Sequence, residues 1–102
     1  MDLEEQVMGI IVNAGQARSL SYEALSCAKK GMFDEAEVLL AQAQEAANAA
    51  HLVQTKLIEF DEGEGKTKMT LVMVHAQDHL MTSMLAKELV TEMISLYKRV
   101  PA

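Results

Sequence analysis

Tryptophan is absent from the 102 residues, proline and cysteine occur once each, and aromatic residues make up only 4%. A core without large rings must be filled by Leu, Met, Val, Ile and Ala, and with so little proline that is the composition of a helical bundle. The lone Cys27 cannot close a disulfide within the chain. It falls on a stripe with Leu20 and Ala24 and reads as a small core residue. Basic residues are also scarce, nine Lys and Arg against fifteen Asp and Glu, for a net charge of -6. That balance excludes the basic stripe of a nucleic-acid surface and electrostatic docking on anionic lipid, while leaving room for a basic protein partner. There is no run of about 18 apolar residues and no secretory leader pattern, so the chain reads as cytoplasmic, with no direct membrane insertion.

What is present is apolar periodicity. Half of the residues are apolar, and their spacing predicts three helices, near residues 3–30, 34–61 and 68–100, forming one all-α domain over residues 1–102. The first carries Val7, Ile10, Ile11, Ala14, Ala17, Leu25 and Ala28 at three- and four-residue intervals, opened by Asp2 and closed at Gly31. Gly9 and Gly15 inside it each cost up to about 1 kcal/mol of helix propensity, which close approach of another helix can offset. Asp34 is placed to cap the second helix or to sit in its first turn, and Ala36, Leu39, Leu40, Ala43, Ala47, Ala50, Leu57 and Ile58 form its apolar face. A short turn between two such helices makes a long antiparallel hairpin. Residues 30–36 resemble a tetratricopeptide-type turn, but no repeat of 20 to 50 residues accompanies them.

Residues 61–66, Asp-Glu-Gly-Glu-Gly-Lys, are acidic and glycine-containing. Gly63 and Gly65 stand where oxygen ligands of a calcium loop would be needed, so the stretch reads as a flexible connection. The third helix is expected from about Lys68 and must end before Pro101. One of its stripes reads Leu71, Val74, Asp78, Met81, Leu85 and a neighbouring one Leu89, Met93, Leu96, Val100. That is more apolar surface than a three-helix monomer can cover, so self-association through this helix is expected.

Polar residues interrupt that helix at His75, Gln77, Asp78 and His79. At about 100° per residue, His75 and His79 project within about 40° of each other, and Asp78 lies about 60° to the other side of His75. Asp78 shares a stripe with Val74, Met81 and Leu85, where a lone carboxylate needs a cation or a donor. Copies meeting about a symmetry axis could share a divalent cation there; a Lys, Arg or Gln of the same chain is the plainer solution. The two histidines could be structural, could ligate zinc with His51 or Asp78 as a third ligand, or could include a phosphoryl acceptor. Gln77, His79, His51, Gln54 and Arg18 are the donors available to such a phosphoryl group. No phosphate-binding loop or kinase signature occurs, so the group would have to arrive on another protein. A non-enzymatic alternative is a metal-organised helical oligomer or interaction module.

Three segments, Ala14-Gly-Gln-Ala-Arg-Ser-Leu20, Ala50-His-Leu-Val-Gln-Thr-Lys-Leu57 and Val74-His-Ala-Gln-Asp-His-Leu-Met-Thr82, resemble corresponding segments of the IIA proteins of the bacterial phosphotransferase system, lactose/cellobiose (N,N'-diacetylchitobiose) class. The closing Leu96-Tyr-Lys-Arg99 fits the same family, so the resemblance runs through nearly the whole chain. It implies an antiparallel three-helix bundle assembled as a homotrimer, with the third helices at the centre. It also implies that His75 accepts a phosphoryl group from the phosphohistidine of HPr and passes it to a cysteine of the cognate IIB protein during sugar uptake. Asp78, one from each of three chains, would hold a structural divalent metal, taken as Mg2+, on the trimer axis. Gln77, His79, His51 and Gln54 are implied as supporting residues that orient His75 and donate to phosphate oxygens.

Overall fold

A computed structural model of the chain describes residues 2–101. They form three helices, α1 (Leu3–Lys29), α2 (Phe33–Asp61) and α3 (Leu71–Arg99), with no strand among the described residues. Helices of 27, 29 and 29 residues, each about 40 Å long, lie side by side in a body measuring 54 × 20 × 18 Å.

Local chemistry sets where each helix starts and stops. Asp2 accepts the amide of Glu5 at 3.3 Å, and Glu4 and Glu5 suit the positive end of the α1 dipole. At the other end Gly31 takes φ +79° while its amide donates to Ala28 and that of Met32 donates to Cys27, a Schellman closure. Asp34 falls in the first turn of α2, behind a cap position held by Met32 with no side-chain bond.

Two features differ from expectation. The third helix begins at Leu71 and not near Lys68, because the Thr70 hydroxyl accepts the amide of Met73 at 3.2 Å and fixes the first turn there. The stretch after α2 is also more ordered than a loose tether. Glu62 and Gly63 turn the chain through positive φ, and the Asp61 carboxylate accepts amide hydrogens from Thr67 at 3.0 Å and Gly65 at 3.2 Å. Those bonds hold its carboxyl below the usual carboxylate range.

The core has two apolar ends. Val7, Ile10 and Ala14 of α1 pack with Ala50 and Leu57 of α2 and with Met73, Ala76 and Leu80 of α3. At the far end Ala24 and Ala28 meet Ala36 and Leu40, and Val90 and Ile94. Between them the buried residues are small, Ala17, Ser21, Ala43, Ala46, Ala47 and Ser83, so the helices approach closely at mid-length. Cys27 is partly buried against the far cluster.

Candidate functional site

The face of α3 opposite that core is apolar and bare. Leu71 is 87% exposed, and Val74, Met81, Leu85, Leu89 and Leu96 are each half exposed or more. Asp78 stands exposed among them, and among the described residues no ion pair reaches its carboxylate. Nor do any three His, Cys, Asp or Glu side chains of one chain come together as a metal site among the described residues. A cation site at Asp78 with several protein ligands would have to draw them from other copies. Its oxygens are the hard donors that Mg2+ prefers, so the donor chemistry fits.

The other polar residues of the motif, His75, Gln77 and His79, stand on the two edges between these faces. His75 is exposed and His79 half-buried, their rings nearly parallel at 6° with centroids 5.8 Å apart. This is the edge that meets α1: His79 Nε2 lies 3.3 Å from where a Cβ on Gly15 would be. Spacing of four residues put the two imidazoles on one side; the glycine that admits the second lies on another helix.

Gln77 follows His75 by two residues and so projects about 160° away from it. It stands on the other edge, where Gln54 of α2 donates from Nε2 to its Oε1 at 2.6 Å. The Gln77 amide nitrogen makes only a weak contact of 3.7 Å with Met73 Sδ. Both amides line a largely apolar groove of about 320 Å3 with Leu57, Ile58, Met69 and Met73, a groove that does not include His75. His51 is exposed one turn before Gln54, its carbonyl accepting the Thr55 hydroxyl. Arg18 is exposed on α1 with its guanidinium 5.6 Å from the Tyr22 ring centroid.

One chain thus assembles two pairs, His75 with His79 and Gln54 with Gln77, on opposite edges of α3. Of the residues that touch these pairs, Gly15 had not been singled out for the site. Its signal was a glycine costing helix stability in mid-helix, but the sequence names no partner for it.

A family model described as "PTS system, Lactose/Cellobiose specific IIA subunit" matches residues 5–98. The chain belongs to that IIA family. It is 62% identical over 101 residues to the PTS system N,N'-diacetylchitobiose-specific EIIA component of Escherichia coli K12, a match covering 99% of this chain and 87% of the relative. To the lichenan-specific phosphotransferase enzyme IIA component of Bacillus subtilis it is 43% identical over 99 residues, covering 97% and 90%. Its backbone is similar, at a TM-score of 0.86 and 61% identity, to the IIA of the solution structures of the IIA(chitobiose)–HPr complex from Escherichia coli, covering 100% of this chain and 99% of that one. The crystal structure of the cellobiose-specific IIA enzyme from Bacillus anthracis matches at a TM-score of 0.92 with 42% identity, covering 97% and 91%. As a IIA family member, the chain is a phosphotransferase-system protein, and among its described residues no helix is long and apolar enough to cross a membrane.

Proposed function

We propose that the protein is a cytoplasmic phosphocarrier that takes a phosphoryl group from phospho-HPr onto His75 and delivers it to a cysteine of a IIB partner during uptake of a sugar of the chitobiose or cellobiose type. The observation that carries this reading is the placement of His75, an exposed imidazole backed by a second, nearly parallel ring, in a chain 61% identical to a IIA solved with HPr. In the accepting step a neutral ring nitrogen of His75 attacks phosphorus. Its phosphorus–nitrogen bond forms as that to the HPr histidine breaks, and the leaving electron pair returns to the HPr ring. The IIB thiolate then attacks the same phosphorus and the His75 nitrogen recovers its pair. Both partners need the same approach to one imidazole, so they bind in turn.

The bare face of α3 supports a homotrimer with the third helices at the centre and α2 antiparallel to its neighbours in each chain, as the two core clusters favour. Around a threefold axis the His75 edge of one copy faces the Gln77 edge of the next. In this reading His79 supports His75 within the chain, while Gln77, Gln54 and His51 come from the neighbour. Gln54 fixes the Gln77 amide, leaving its NH2 to donate to a phosphate oxygen. Asp78 from three chains would hold Mg2+, whose charge offsets the repulsion of three carboxylates on the axis.

Incubation with phosphoenolpyruvate, enzyme I and HPr tests the reading. An acid-labile phosphate is expected on the wild-type protein and none on His75→Gln. A variant that is phosphorylated as the wild type is would remove His75 from the mechanism.

A further inference from the structure

We propose that Gly15 is a positioning residue for phosphoryl transfer: the side chain it lacks leaves the His79 imidazole room to lie parallel to His75. The proposal rests on the phosphocarrier reading, in which His75 is the acceptor.

The two mid-helix glycines of α1 face different neighbours. A Cβ at Gly9 would meet Val53 Cγ2 at 3.8 Å, an ordinary van der Waals distance. At Gly15 it would meet His79 Nε2 at 3.3 Å, tighter than such contacts normally run. Neither glycine is among the positive-φ residues, so backbone conformation does not require it; Gly31, Gly63 and Gly65 are the glycines that do turn through positive φ. What distinguishes Gly15 is the ring pressed against it. His79 belongs to a rigid helix whose next residue, Leu80, is fully buried, so the ring cannot retreat by moving its backbone. It would have to swing about its side-chain torsions, which changes its placement against the His75 ring, whose centroid lies 5.8 Å away. In-line attack on phosphorus depends on the direction of the His75 lone pair, and a displaced neighbour would misdirect it.

The test compares Gly15→Ala with Gly9→Ala in the full-length protein. Single-turnover transfer from phospho-HPr is expected to slow about 10-fold in Gly15→Ala, with the half-saturating phospho-HPr concentration unchanged. Gly9→Ala is expected to react at the wild-type rate. The His75 ring-proton NMR shifts should move in Gly15→Ala alone, as the stacked ring leaves its place. On a His79→Ala background, Gly15→Ala should slow transfer no further, since the group through which it acts is gone. Equal slowing on both backgrounds, or unchanged rate and shifts in Gly15→Ala, would overturn the proposal. If Gly15→Ala loses its helices, adding His79→Ala should restore them, and failure to do so would place the clash elsewhere and overturn it too. A wild-type protein that takes no phosphate would instead remove the carrier reading, and this proposal with it.

Discussion

The two faces of α3 have nearly the same chemistry and opposite surroundings. On one, Met73, Ala76, Leu80, Val90 and Ile94 are buried against α1 and α2; on the other, Leu71, Val74, Met81, Leu85, Leu89 and Leu96 are open. A helix apolar on both faces must find a second covering, and a single chain provides only one. Of the polar residues between His75 and His79, all fall where the faces meet except Asp78, which stands in the middle of the open one. In the account proposed here the inner face holds one chain together, the outer face holds three together, and the edges between them do the chemistry.

Substitution on each face separates these roles. Leu80→Ala removes a fully buried side chain from the inner cluster and is expected to lower unfolding free energy by about 2–5 kcal/mol in urea titration. Leu85→Lys on the outer face should leave helix content intact by circular dichroism but convert the assembly to monomers in analytical ultracentrifugation, because a buried lysine at that contact has no partner. A Leu85→Lys protein that stays assembled would show that the outer face is not the interface.

Asp78→Leu probes the same face with a smaller effect. Replacing buried like charges by an apolar side chain should keep the assembly or tighten it, while transfer to His75 continues. A chelator should loosen the wild type and leave the variant untouched. Loss of transfer to His75 in a variant that stays folded and assembled would contradict a purely structural role for the carboxylate.

The arrangement was partly legible in the sequence. Three- and four-residue spacing gives the helices and their inner faces, and it exposes the surplus of apolar surface on the third. The beginning of α3 was less legible, since Lys68 and Met69 continue the periodic pattern and only the Thr70 cap stops the helix from starting earlier. Gln77 reads in sequence as a companion of His75, yet two residues along a helix reverse direction, and its partner is Gln54 across the groove. The fit of His79 against Gly15 was hidden for a different reason. It joins two helices, and nothing local to either segment encodes the distance between them.

The smallest expected effect lies at the loop that feeds α3 into place. The amides of Thr67 and Gly65 favour the charged Asp61 carboxylate, so its folded-state pKa lies below its unfolded value. Its stabilisation is therefore full above the ordinary carboxylate range and lost as pH falls below about 4 through the lowered folded value. Asp61→Asn should flatten that part of the stability profile, measured by urea titration at a series of pH values, without altering assembly near neutral pH. An unchanged acid slope would mean that the loop bonds contribute nothing to holding the inner face.

The most direct measurement is to map the phosphate on the protein after incubation with phosphoenolpyruvate, enzyme I and HPr, under alkaline conditions that preserve phosphohistidine. The account predicts a single modified residue, His75, in a trimeric protein that loses the group again on addition of a IIB partner. Phosphate on His79 or His51 with His75 unmodified would contradict it.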